Sequence, residues 1–431
     1  MSCDRSNTFS LIRLCGHLLS FFFLVLFTGM NGAQADEQPE TVSGRVEHIV
    51  LRLKAGEKAV EKRLLSEDLR LRFFGYLEGS YTQNFNNPSS RINQLRIFDV
   101  NSNQVRPNLA QAVLEREAKT EGSGWDRLGF RVKFNVGRDS DFIGGTNMST
   151  WADFQEFYVQ YAAPVGRGLN IQAGQINSVV GYEVVESPRN ANYSRSWLFG
   201  LGQPFTTRGV RASYEFNKQV SLSLGTIAYI NSARADTDFD PLVEYALALS
   251  PSDKVKLTLY GLAGPREGPT GTPGGPLFLT GGYVSVEISN HTSAVIESYY
   301  ANQSHSSTIS AGRNARWNGA AAYLIHDITD HWGLRVRAEI FEDAGGFVAC
   351  QGTTAYQPRA NVCFGATSEA QASPIAQTLW EVTGTLQFKP ISSLITRLEY
   401  RYDKSNQNVF QLGDRATSYQ PTLSVDVIYL F

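Results

Sequence analysis

From Leu71 onward the chain alternates apolar and polar residues with a period of two. Between Leu334 and Asp343, Leu334, Val336, Ala338 and Ile340 interleave with Arg335, Arg337, Glu339 and Phe341. Leu394, Leu398, Tyr400 and Tyr402 interleave with Arg397, Glu399, Arg401 and Asp403 in the same way, and Phe130, Val132, Phe134 and Val136 with Arg131, Lys133 and Asn135. Successive side chains of a β-strand leave opposite faces of the sheet, so each segment carries one apolar and one charged face. The pattern predicts sixteen strands, near 71–84, 108–116, 128–137, 153–162, 169–175, 207–216, 220–230, 243–249, 255–263, 279–289, 292–301, 315–325, 333–343, 377–388, 394–403 and 420–431. Merging or splitting single segments keeps the count between about 14 and 18.

The connections obey a second rule. After the even-numbered strands from the fourth onward they are short: Ala163–Gly168, Asn217–Gln219, Ser250–Lys254, Asn290–His291, Asp327–Trp332 and Lys389–Ser393. After the odd-numbered strands they are long: 85–107, 138–152, 176–206, 231–242, 264–278, 302–314, 344–376 and 404–419. Short turns at one end and long loops at the other are the pattern of an all-β, transmembrane antiparallel barrel in a bacterial outer membrane. The final segment supplies the closing strand: Leu423, Val425, Val427, Tyr429 and Phe431 alternate with Thr422, Ser424 and Asp426. An open edge in lipid leaves backbone groups unpaired at several kcal/mol each, so this strand must be apolar along its lipid face. Tyr429 and the terminal Phe431 resemble the signal by which the barrel-assembly machinery inserts outer-membrane barrels. A soluble β-sandwich would need every charged face in solvent and would leave the terminal pattern unexplained.

Composition alone would mislead. Hydrophobic residues make up 42% and charged residues 19% of 431 residues, and mean hydropathy is −0.23. These averages resemble an ordinary β-rich soluble protein, with charge below the usual quarter. They exclude collagen, a disordered tail, a disulfide-dense mini-protein and a polytopic helical membrane protein. A net charge of −2 gives no basic bias toward nucleic acid. At the amino terminus, Arg5 and Arg13 precede the apolar run Leu18 to Thr28, and Ala33-Gln34-Ala35 forms a small-x-small cleavage site. Residues 1–35 therefore read as a secretory signal peptide. Residues 36–70 read as a charge-rich periplasmic leader with a short helix, and 71–431 as the barrel. Cys350 and Cys363 are the two cysteines beyond the signal, 13 apart in a Gly-rich stretch. In an exported chain that spacing predicts one disulfide stapling a loop.

Two groups of segments go beyond generic barrel features. One is Gly75-Tyr-Leu-Glu-Gly-Ser-Tyr81, Asn84-Phe-Asn-Asn-Pro88, Gln94-Leu-Arg-Ile-Phe-Asp-Val-Asn101 and Asn108-Leu-Ala-Gln-Ala-Val-Leu-Glu115. The other is Gly181-Tyr-Glu183, Glu186-Ser187, Asn192-Tyr-Ser-Arg-Ser196, Pro204-Phe205 and Gly209-Val-Arg-Ala-Ser-Tyr214. These resemble the OmpL-like β-barrel porin family, over about Phe73 to Phe431 and most sharply in 73–214. The resemblance implies a porin and carries over no catalytic or binding residues.

Sixteen strands enclose a lumen wide enough for water, where eight would be filled by side chains. The face opposite the apolar one supplies a charged lumen wall: Arg131, Lys133, Glu156, Arg335, Arg337, Glu339, Arg397, Glu399 and Arg401. In a flooded lumen these charges cost little, whereas a dry core would penalise them heavily. Loop 176–206, the third long loop, is the candidate pore constriction. It brings Glu183, Glu186, Arg189 and Arg195, with Arg208 and Arg211 where the next strand begins. Acidic and basic groups facing each other across a narrow passage would set up a transverse field. Gly79, Gly319 and Ala321 are expected on the lipid face, where close packing would permit a homotrimer.

The expected function is passive diffusion of small hydrophilic solutes through a water-filled channel, with neither catalysis nor cofactor nor metal. The expected partners are outer-membrane lipid and lipopolysaccharide, the barrel-assembly machinery and the solutes. The alternatives are a channel specific for sugars or organic acids, with Tyr76, Tyr158, Tyr229, Tyr260, Tyr283 and Tyr299 as a stacking path, and a non-conducting adhesin or structural barrel. An outer-membrane enzyme is disfavoured, because no Ser, His and carboxylate gather near one membrane face.

Overall fold

The computed structural model describes residues 69–143, 151–230, 241–265, 275–305, 313–350, 363–364 and 375–431. The expected signal peptide and nearly all of the expected leader lie outside the described residues. Sixteen strands close into one antiparallel barrel. They are β1 (Arg72–Asn84), β2 (Gln104–Arg116), β3 (Leu128–Val136), β4 (Ala152–Ala163), β5 (Leu169–Asn177), β6 (Thr206–Glu215), β7 (Val220–Ile230), β8 (Leu242–Ser252), β9 (Val255–Gly264), β10 (Leu277–Ser289), β11 (Thr292–Gln303), β12 (Ala315–Asp327), β13 (Trp332–Asp343), β14 (Gln377–Ile391), β15 (Leu394–Ser405) and β18 (Tyr419–Leu430). A two-stranded hairpin, β16 (Phe410–Leu412) and β17 (Arg415–Thr417), lies in the last long loop, where the alternation predicted no strand. Each barrel strand pairs with its neighbours in sequence, and β18 pairs with β1 to close the cylinder.

The main boundary difference has a chemical reason. Strand β2 starts four residues before the predicted 108 and contains Pro107. Proline cannot donate to a ladder and is tolerated in sheets at bulges. Here the β1–β2 register shifts between Glu78 and Gly79, next to the Gly79–Pro107 pair. Pro390 sits at the equivalent irregularity between Phe388 and Ile391 of β14.

At the closing seam, the Gly75 amide donates to the Phe431 carbonyl at 2.9 Å and the Phe431 amide returns a bond to Gly75 O at 3.1 Å. The Phe431 ring lies 5.9 Å from that of Phe73. Gly75 is required here: a Cβ would collide with the Gln111 carbonyl and the Phe431 ring. The terminal residues thus act as the last rung of the barrel, as their alternation predicts.

The outer face is apolar, with Val159 63%, Ile296 58% and Val382 57% exposed. Such a continuous apolar surface suits lipid rather than water. Trp332 stacks on Phe388 at the short-turn end (4.4 Å), and Tyr402 on Tyr419 at the long-loop end (6.3 Å), as interfacial aromatics do. The buried clusters join wall side chains to apolar residues of the long loops. Cys350 and Cys363 form the expected disulfide, buried beside Phe410 in the larger cluster.

Candidate channel interior

The loop Ser178–Phe205 runs inside the barrel. Its contacts with the wall fix which face of each strand is inward. Tyr182 N donates to Glu297 of β11 at 2.8 Å, and the Tyr299 hydroxyl donates to Leu198 O at 3.1 Å. Ser187 Oγ donates to Glu78 of β1 at 2.6 Å, and the Tyr193 hydroxyl to Ser80 Oγ at 2.7 Å. Asn192 donates to Thr385 Oγ1 of β14 at 2.7 Å. One loop therefore touches strands on opposite sides of the cylinder. Gly181 allows its first bend, with a φ of 96°.

The predicted wall charges are what hold this loop. Arg337 donates to Glu183 (2.7 Å), to Ser194 O (2.7 Å) and to Glu381 of the neighbouring strand (2.5 Å). Arg397 bonds Asp426 and Ser187 Oγ, each at 2.7 Å, and the carbonyls of Asn190 and Asn192. Arg401 bonds Asp403 at 2.7 Å and Arg195 O at 2.5 Å, and lies 5.0 Å from the Trp197 ring. Glu399 accepts the amides of Tyr193 (2.7 Å) and Ser194 (2.9 Å). Glu339 accepts those of Trp197 (2.7 Å) and Leu198 (2.6 Å). The latter two amides open a short helix, α1 (Trp197–Gly202), whose N-cap Ser196 accepts from Phe199 N. A carboxylate at a helix start meets both free amides and the positive end of the dipole. Charge-assisted bonds of this kind are about twice as strong as neutral ones.

On the opposite wall, Lys133 pairs with Glu156 at 2.6 Å and with Glu186. Glu186 also accepts from Gln155 (2.8 Å) and Asn177 (2.9 Å). Burial by itself would raise the Glu186 pKa, but the Lys133 ammonium and these donors pull it down to about 2. Arg131 bridges Glu115 and Glu156, and Arg335 binds Asp327 at 2.5 Å at the short-turn end.

These placements correct three expectations. The lumen wall facing the loop is dry: Arg337 is fully buried, and Arg397, Glu399 and Arg401 are each 1% exposed. Their charges are balanced by contact ion pairs instead of by water. The loop acids and bases likewise do not oppose each other across water. Glu183 and Glu186 meet wall cations directly, and Arg195 folds back onto the carbonyls of Val184, Val185 and Tyr193, facing the Phe98 ring at 5.3 Å. Arg189 alone of the loop's predicted charges is exposed, at the end of the turn Ser187–Arg189. Arg211 points inward and pairs with Glu244 at 2.7 Å. Arg208 occupies the outer face, one residue out of phase with Thr207 and Gly209, and donates to Gln175 Oε1 at 2.8 Å. Finally, Gly319 and Ala321 are inward, beside Leu198 and between Glu297 and Glu339; Gly79 is outward.

The alternation missed a second inserted segment. In the first long loop, Leu95 O accepts from Trp197 Nε1 at 2.9 Å, while Arg96 bonds Asp403 at 2.8 Å and pairs with Asp99. Ile97 and Phe98 join the buried cluster around Phe199 and Phe205. The signal was the apolar-charged run Leu95-Arg-Ile-Phe-Asp99 inside a predicted loop, where a surface loop would be polar.

The other half of the wall is different. On β5–β10, inward Asn170, Gln172, Ser213, Ser223, Thr258 and Ser285 are only half-buried. They sit inside a closed cylinder, so the surface they expose faces water within it. A closed sixteen-strand barrel with an apolar belt and an inserted third loop is the architecture of the outer-membrane porins.

The sequence bears this out at the level of family. Residues 70–431 match the family described as "Putative beta-barrel porin-2, OmpL-like", and the chain belongs to that family of bacterial outer-membrane porins. Among solved structures it is similar to the anion-selective porin of Comamonas acidovorans (10% identity, 84% of this chain and 99% of that one, TM-score 0.55). It is also similar to Salmonella typhi OmpF in complex with daunomycin (11%, 85% and 99%, TM-score 0.53). A third is the trimer form of OmpT from Vibrio cholerae (9%, 84% and 99%, TM-score 0.52). At such identities these likenesses concern the fold. No curated protein matches the chain.

Proposed function

We propose that this porin passes small hydrophilic solutes by passive diffusion along the β5–β10 wall, with the loop Ser178–Phe205 narrowing the lumen from the other side. The half-burial of inward side chains on β5–β10, inside a closed wall, carries the reading. Water there keeps polar solutes solvated, while the apolar outer belt holds the barrel in lipid. Passage of this kind needs no reacting group, and we assign the chain no catalysis. Association into a homotrimer belongs to the same reading, supported by the trimer form of OmpT. In planar bilayers the purified protein is expected to give stepwise ohmic conductance in potassium chloride. A folded barrel that inserts without conducting would overturn the proposal and favour an adhesin or structural role.

A further inference from the structure

We infer that Tyr182 of the inserted loop and Tyr283 of β10 form an aromatic shelf that binds the faces of neutral sugar rings in transit. The inference rests on the β5–β10 passage and names its solute class. The Tyr182 ring lies 5.4 Å from Tyr283 and 4.9 Å from Tyr323, and Tyr260 backs Tyr283 at 6.4 Å. Tyr260 and Tyr323 are buried, whereas Tyr182 and Tyr283 are half-buried inside the barrel, so their free surface faces the lumen. The shelf is held from behind. Glu297 accepts both the Tyr182 amide (2.8 Å) and the Tyr260 hydroxyl (2.6 Å), which fixes loop and wall together.

The wall beyond the shelf has matching chemistry. In register, Tyr283 neighbours Thr258, and Ser213 Oγ lies 2.7 Å from Ser223 Oγ. Between the Arg211–Glu244 pair and the exposed Glu215, Lys256 and Glu287 near the short turns, the described inward positions of β5–β10 bear no charge. Hydroxyl and amide groups fill that interval. A sugar ring presents weakly positive C–H groups on its face and hydroxyls around its rim. An aromatic face is electronegative and attracts the former, and an uncharged polar wall exchanges hydrogen bonds with the latter. A charged solute finds no free counter-charge there.

The test is block of single-channel current by maltohexaose, with a polyethylene glycol of equal hydrodynamic size as comparison. Calorimetric titration of maltohexaose into the protein in detergent micelles reads binding without conduction. Wild type is expected to show saturable block by maltohexaose and none by the polymer. Tyr283→Ala should weaken block and binding about fivefold to tenfold, the worth of one aromatic contact, and Tyr283→Phe should retain both. Full salt conductance of the Ala variant shows that it folds. If salt conductance is normal but maltohexaose blocks no better than the polymer, or equally well in Tyr283→Ala, the shelf is overturned and the passage stands. Binding lost in Tyr283→Ala without any conductance in wild type would support the shelf and overturn the passage. Neither binding nor conductance overturns both.

Discussion

Two halves of one barrel wall have the same backbone and opposite interiors. On β13–β15, β18 and β1–β4 the inward face carries charged side chains, most of them buried, and β11 adds Glu297 beside the uncharged inward face of β12. On β5–β10 the inward side chains are mostly uncharged, and hydroxyl and amide groups there are half open beside the tyrosines Tyr260 and Tyr283. The difference shows how the wall holds an inserted loop in place. The charged half binds the loop through a network in which every acid named above meets an arginine, a lysine or backbone amides. The neutral half offers the loop nothing comparable and is left to water. Charges on this wall thus serve as anchors where they meet partners, while Glu215, Lys256 and Glu287 stay exposed.

The largest expected effect comes from breaking the anchored half. Arg337→Met leaves Glu183 and Glu381 buried without their shared cation, which costs about 3–5 kcal/mol when one partner of a buried pair is lost. The urea midpoint of the refolded barrel should fall, and single-channel conductance should rise as the loop loosens. Lys256→Met, on the exposed part of the open half, should leave the midpoint unchanged; equal losses in both variants would erase the distinction between the halves.

Acid gives a graded version of the same break. The Glu186 pKa is about 2 in the fold against an ordinary 4.5. Its contribution, on the order of 3 kcal/mol, is complete above about pH 4.5 and is lost as pH falls through about 2. Conductance followed from pH 7 to 2 should hold steady to about pH 3 and then change, and Glu186→Gln should abolish that step. A transition centred near pH 4.5 in wild type would show that Lys133 does not hold this carboxylate.

Smaller still is the effect of the disulfide. Asp343 accepts the amides of Phe347 (2.9 Å), Val348 (3.0 Å) and Ala349 (2.8 Å), just before Cys350. Cys350→Ser should lower hydrogen-exchange protection at these three amides by up to ~3 kcal/mol, the loop-closure value for such a separation, and leave β5–β10 protection as it was. Least disruptive is Lys256→Glu, which should shift the reversal potential in a salt gradient toward cations, with stability within about 0.5 kcal/mol of wild type. Unchanged selectivity would remove Lys256 from the water-filled path.

Much of the wall was legible in advance. The sixteen strands, the alternation of short and long connections and the pairing of the last strand with the first followed from local pattern, because a strand's two faces are written into consecutive residues. Bulges were less legible: the predicted second strand began at 108, whereas Pro107 enters the sheet beside the Gly79 irregularity. Arg208 was misplaced for a related reason. A loop end gives no reference for counting faces, and a shift of one residue moves a side chain from water to lipid. Gly319 and Ala321 failed similarly, since small residues fit either face and carry no polarity to orient them.

The sequence by itself determined the cylinder: which segments form its sixteen strands, which face is apolar, that the last strand closes on the first and which cysteines pair. Only the tertiary structure decided what the lumen charges do. Glu183 and Arg337 are 154 residues apart, and no local pattern links them. They meet because closing β18 onto β1 forces opposite walls to within reach of one loop. The partner, and hence whether a charge is an anchor or a wet wall group, is a property of that closure.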